Sequence, residues 1–113
     1  MSMKGDILIA NLETLIAAGR DSPAVRFGLG KACLERSDPI ASRRHLERAI
    51  ELDPSYSAAW KLLGKACAEG GDTAGAAHAW RQGIAAAQAK GDRQAVKEME
   101  VFLRRLERGA GSG

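Results

Sequence analysis

The chain is poor in the residues that interrupt or cross-link a polypeptide. Three prolines stand among 113 residues, and aromatic residues make up 4%. With alanine abundant, that composition favours an all-helical protein. So few aromatics also leave no ladder of rings on which nucleic-acid bases could stack. There are two cysteines, Cys33 and Cys67, and no CxxC, so neither a disulfide framework nor a structural zinc site is indicated. No apolar run approaches the roughly 18 residues that a membrane span needs. The net charge of +3 is too mild to point to nucleic acid or an acidic membrane. The start, Met1 to Asp6, carries one lysine. The apolar Ile7-Leu8-Ile9-Ala10 after it is cut short by Asn11 and Glu13, which is not a secretory pattern. These absences lead to the expectation of a single cytoplasmic domain.

What is present is a repeating pattern. Trp60-Lys61-Leu62-Leu63-Gly64-Lys65-Ala66-Cys67 is followed by Gly71-Asp72 and then by Ala76 and Trp80. Leu29-Gly30-Lys31-Ala32-Cys33 lies 34 residues before Leu63-Gly64-Lys65-Ala66-Cys67, and Asp38, Leu46 and Ile50 precede Asp72, Trp80 and Ile84 by the same interval. Trp60, Leu63, Gly64 and Cys67 share one helical face, and Ala76 and Trp80 share another. A glycine within a helix costs roughly 1 kcal/mol relative to alanine. Its place here implies a neighbouring helix close against the backbone. The first unit is the more divergent, with Arg26 where Trp60 stands and Ser42 where Ala76 stands.

Helix punctuation agrees with this period. A first helix over 6–18 carries Leu8, Leu12, Leu15 and Ile16 on one face, with Asp6 as cap and Gly19 as stop. Asp21-Ser22-Pro23 and Ser37-Asp38-Pro39 each read as a cap followed by proline in the first turn. Asp53-Pro54 breaks the next helix near Leu52, and Ser55 or Ser57 can cap the one after. A helix from Asp72 to about Lys90 has Gln88 where a terminal proline would fall, so it runs long. Gly91-Asp92 then ends one helix and starts the last, over 92–108. There Ala95, Met99, Phe102, Leu103 and Leu106 form an apolar stripe opposite a charged face. Residues 109–113 are expected to be a flexible tail.

These residues resemble the tetratricopeptide repeat, a 34-residue helix–turn–helix unit. The resemblance implies an all-α superhelix with two repeats, 23–56 and 57–90, between an N-terminal helix and a C-terminal capping helix. A third repeat does not fit, because Lys97 and Glu98 would replace Leu and Gly. In this family the first helices of successive units line a concave surface that holds a peptide. Carried over by helix phase, that surface receives Ala24, Phe27, Lys31 and Leu34 from unit one, and Ala58, Lys61, Lys65 and Ala68 from unit two. The candidate groove residues are Phe27, Lys31, Leu34, Lys61 and Lys65, with Phe27 as an apolar anchor and the lysines facing an acidic or C-terminal segment. The family's carboxylate clamp is not carried over, because its asparagines are missing. Cys33 and Cys67, on equivalent helices at least about 10 Å apart, lie beyond the roughly 7 Å that a disulfide spans. Both are expected to be reduced core residues.

Chemistry is not indicated. Gly28-Leu29-Gly30 lies inside a helix rather than after a strand, so it is no phosphate loop. His45 and His78 are isolated and expected to face solvent or cover an edge. No nucleophile–base pair is suggested by spacing. The expected protein is a non-enzymatic interaction module or adaptor for a protein or peptide partner, without catalytic residues, metal or cofactor, and without a membrane. It is expected as a monomer or weak homodimer. The alternative is a structural subunit or self-associating scaffold. A nucleic-acid binder, through Arg36, Arg43, Arg44 and Arg48, ranks third.

Overall fold

A computed structural model describes residues 3–111, with side chains described through 109. Six helices follow one another: α1 (Met3–Ala17), α2 (Pro23–Glu35), α3 (Pro39–Leu52), α4 (Ser57–Glu69), α5 (Thr73–Lys90) and α6 (Arg93–Gly111). The described residues contain no strand.

Most of the starts are set by short polar side chains. Ser22 Oγ accepts from the Val25 N–H at 3.1 Å, and Asp38, Asp72 and Asp92 do the same for the N–H groups of Ala41, Gly75 and Ala95. Each satisfies one of the donors that a helix start leaves free. α4 is the exception. Its cap is Tyr56, which makes no side-chain cap bond. Neither serine expected there serves, because Ser55 is drawn back onto the Asp53 carboxylate and Ser57 is buried inside the first turn. α1 begins at Met3, so Asp6 lies within it and pairs with Arg36 instead of capping.

Four helices stop in the same way. After α1, α2, α4 and α5 a residue with positive φ turns the chain, and the next N–H reaches back five residues, as in Arg20 to Leu15 and Asp72 to Cys67. Glycine takes that position at 19, 71 and 91. Ser37 takes it after α2, at φ 60°. α5 is 18 residues long against 14 for α3, the extra turn expected where Gln88 replaces proline. α6 continues to Gly111, past the expected end at 108. Of the expected tail, residues 112–113 lie outside the described residues.

The helices form two antiparallel hairpins, α2–α3 and α4–α5, stacked side by side. α2 touches α4 and α4 touches α6, whereas α3 and α5 do not meet. The odd-numbered helices therefore form an outer row, and α2, α4 and α6 an inner one. Glycine makes the hairpins possible. A Cβ on Gly64 would overlap the Trp80 indole, and one on Gly30 would fall 2.5 Å from Leu46 Cγ. Trp80 is held in place by its N–H, which donates to the Lys61 carbonyl at 2.9 Å. In the first hairpin Ser42 stands where the second has alanine. Its buried hydroxyl donates to the Gly30 carbonyl at 2.7 Å, so the substitution leaves no polar group unpaired. Cys33 and Cys67 are buried and free, and burial pushes both thiols above their ordinary pKa, which keeps them protonated and unreactive.

The ends differ. α6 presses Met99, fully buried, against Gly83, where Trp60 also packs, and adds Phe102, Leu103 and Leu106 to the core. It occupies the place that the first helix of a further unit would take, although Lys97 and Glu98 break the repeat pattern. α1 packs against α2 only, and none of its residues is buried. On its packed face Leu12 leans on Gly28, Leu15 and Ile16 are half-buried and Ile9 joins them, while Leu8 lines the cleft between α1 and α2 and stays 47% exposed.

Candidate functional site

The inner row carries the residues expected to line a groove. On α2, Lys31 is exposed and makes no ion pair among the described residues. Leu34 is half-buried and packs against the core. Phe27 is half-buried as well. Its ring stacks on Tyr56 at 5.2 Å between centroids, with 30° between planes. The expected apolar anchor is thus a two-ring surface, and its second ring comes from the start of α4. Ala24 and Ala68 are exposed, and Ala58 is half-buried.

α4 places its two lysines towards α6. Lys61 Nζ donates to Glu98 Oε1 at 3.0 Å. Lys65 holds its ammonium 5.2 Å from the centre of the Phe102 ring, which in turn lies 5.3 Å from Trp80. A half-exposed ion pair contributes about 0–1 kcal/mol, and an exposed cation–π contact about 0.5–1 kcal/mol. Lys61 is thereby committed to holding the last helix, and Lys65 rests on it with its outer side exposed. Lys31 and Lys65 remain as equivalent cations on neighbouring inner helices, one full repeat apart.

The outer row carries its charges differently. On α3, Arg43 bridges Glu47 and Asp72 and Arg48 reaches Asp21 and Glu51; Arg36, at the end of α2, meets Asp6. Of the four arginines weighed as a phosphate-binding face, only Arg44 has no carboxylate partner among the described residues. The first hairpin fills the position of the missing tryptophan with a polar network. Arg26 grips Asp21 with two bonds of 2.7 and 2.9 Å and lies 3.1 Å from His45 Nδ1. That bond to Arg26 holds the Asp21 carboxyl below its ordinary pKa. Burial, then Arg26, pushes His45 below its ordinary value, so the imidazole is neutral and accepts from the guanidinium. His45, expected to face solvent or cover an edge, is half-buried against Arg26. His78 is exposed and meets Trp60 edge-on at 6.4 Å.

Three surface clefts of about 390 to 480 Å³ lie between α1 and α2, at the α5–α6 turn and beside Trp60, and none takes in a groove lysine. Among the described residues no helix is long and apolar enough to cross a membrane, and no group of three or more His, Cys, Asp or Glu could hold a metal ion.

Sequence reasoning located the lysines but not what meets them. Tyr56, Glu98 and Phe102 are the additions. Glu98 carried a signal, since a carboxylate in place of a packing glycine needs a cation nearby. Tyr56 carried none, as it sits in a loop between units.

Stacked α-hairpins with glycine at each crossing and an exposed inner row define a helical-repeat interaction module. The chain belongs to the tetratricopeptide repeat family: the family model matches residues 34–92. The chain is 53% identical over 102 residues to the TPR repeat-containing protein PA0015 of Pseudomonas aeruginosa, covering 90% of this chain and 97% of that one. Its structure resembles the solution structure of protein BPP2914 from Bordetella parapertussis, with TM-score 0.78, 50% identity, and 89% and 88% of the two chains covered. The TPR domain of Sgt2 from Aspergillus fumigatus shares the fold, with TM-score 0.72 at 23% identity over 99% of this chain and 84% of that one.

Proposed function

We propose that the chain is a non-enzymatic cytoplasmic adaptor that holds a peptide segment along α2 and α4. The segment is an acidic stretch or a free C-terminus. Lys31 and Lys65 are its cationic contacts, and the Phe27–Tyr56 pair is its apolar one. One observation carries the reading. Lys31 and Lys65 occupy the same place in two adjacent units, exposed and without a carboxylate partner among the described residues, while Arg43 and Arg48 on the outer row are neutralised. Lys61 has a supporting part, fixing α6 beside α4, and Leu34 supports the floor from below. The division into units 23–56 and 57–90, flanked by end helices, belongs to the same reading.

The test is to pan a random peptide library against the protein and measure the selected peptides against Lys31→Glu with Lys65→Glu. Acidic peptides should be enriched. Each exposed pair is worth up to about 1 kcal/mol, and reversal adds like-charge repulsion, so two reversals should weaken binding roughly tenfold, with thermal unfolding nearly unchanged. Undiminished binding by the variant refutes the groove.

A second reading, a self-associating scaffold, rests on α1. Met3, Ile7 and Leu8 are 77%, 54% and 47% exposed there, an apolar surface that α2 does not cover. Sedimentation at several concentrations decides it, since a concentration-independent monomer removes that reading.

A further inference from the structure

The outer face of α6 gathers unpaired arginines, as no other helix does. Outside α6, five of seven arginines make ion pairs among the described residues, Arg26, Arg36, Arg43, Arg48 and Arg81, although of the five lysines there only Lys61 does. On α6, Arg93, Arg104, Arg105 and Arg108 make none among the described residues, and neither does Lys97. The carboxylates of α6 are turned to its neighbours. Glu98 is held by Lys61 of α4, and Glu107 lies 3.9 Å from Arg81 of α5. Only Glu100 is left among the cations.

The cations are also aligned. Arg93, Lys97, Arg104 and Arg108 follow one another at i, i+4, i+11 and i+15, which keeps them on one azimuth opposite the buried Met99. All four are exposed. They form a straight row about 22 Å long. Arg93 with Lys97 and Arg104 with Arg108 are like-charged i, i+4 pairs, which disfavour a helix, and Glu100, exposed in the middle of the row, is the single carboxylate set between them.

We infer that the outer face of α6 is a second docking surface, separate from the groove, that binds an acidic α-helix of a partner protein lying alongside it. Charge complementarity selects that partner. A straight row at helical spacing matches carboxylates at the same spacing on another helix. The face has no ring to stack a base on, and α6 has no exposed large apolar residue to insert into a lipid surface.

The probe is a synthetic alanine-rich peptide of about 18 residues, roughly 27 Å of helix, with Glu at i, i+4, i+11 and i+15. A control peptide has the same composition with its glutamates placed around the helix. Binding is followed by fluorescence anisotropy at low and physiological salt. The matched peptide should bind in a salt-dependent manner and at least tenfold more tightly than the control. Lys97→Glu with Arg104→Glu should reduce its binding at least tenfold, and Arg93→Gln with Arg108→Gln should reduce it by a smaller factor. The groove variant Lys31→Glu with Lys65→Glu should bind it as the unaltered protein does, so failure here is distinct from failure of the groove. Equal binding of the two peptides, indifference to both α6 variants, no binding, or tighter binding to duplex DNA or to phosphatidylserine vesicles would each overturn the inference.

Discussion

Replacing Gly64 with alanine tests the packing of the inner row most sharply, because two effects of opposite sign act on one methyl group. Within a helix the exchange gains up to about 1 kcal/mol of propensity. Against that, the added Cβ would overlap three atoms of the Trp80 indole. The ring has nowhere to go. Its N–H is bonded to the Lys61 carbonyl, and its face lies against Phe102. Overpacking of this kind costs about 1–3 kcal/mol, and loss of the indole bond costs about 1 kcal/mol more. The net expectation is a loss of about 1–3 kcal/mol, read as a lower urea midpoint by circular dichroism with the slope unchanged. Gly109→Ala is the control, because nothing lies within 4 Å of a Cβ there. It should be neutral or stabilising by a few tenths of a kcal/mol, up to about 1 kcal/mol. If Gly64→Ala is as stable as the unaltered protein, the reasoning about the crossing is wrong.

Three further outcomes follow from the same structure. Met99→Ala should cost about 2–5 kcal/mol, because the side chain fills a fully buried site against Gly83. Hydrogen exchange should show α6 losing protection ahead of α2–α5. Ser37→Gly should raise stability by about 0.5–1 kcal/mol, since Ser37 holds a positive φ that glycine adopts freely; a fall in the thermal midpoint would contradict this. His45 has a folded pKa below its ordinary 6.5. Its contribution is complete above the ordinary value and is lost as pH falls through the folded one, because the unfolded chain then binds the proton more readily. The urea midpoint should therefore drop between pH 7 and 5 in the unaltered protein, and that slope should flatten in His45→Gln.

The repeat, and with it the fold, was legible because its period is carried by residues whose packing demands are strict. A glycine where two helices cross, a small residue four before an aromatic, and a cap before each turn have few alternative readings. The ends of helices were legible where chemistry is local, as at Ser22, Asp38 and Asp72. They were not where a tertiary contact competes, as when Asp6 pairs with Arg36 and Ser55 turns back to Asp53. The packed face of α1 was legible from its period, but Leu8 stays 47% exposed because a cleft separates the start of α1 from the end of α2, and periodicity does not show how tightly two helices close. In the candidate site the lysines could be placed from helix phase, but their availability could not. Glu98 and Phe102 come from a helix outside the repeat, and only the packing of α6 on α5 brings them to α4.

The most direct measurement is a ¹⁵N–¹H spectrum of the protein titrated with the tightest acidic peptide from the library. Shifts confined to α2 and α4 around Phe27, Lys31, Tyr56 and Lys65, lost on reversing both lysines, are the predicted result. Shifts centred instead on α3 or α5, with the inner helices silent, would contradict it.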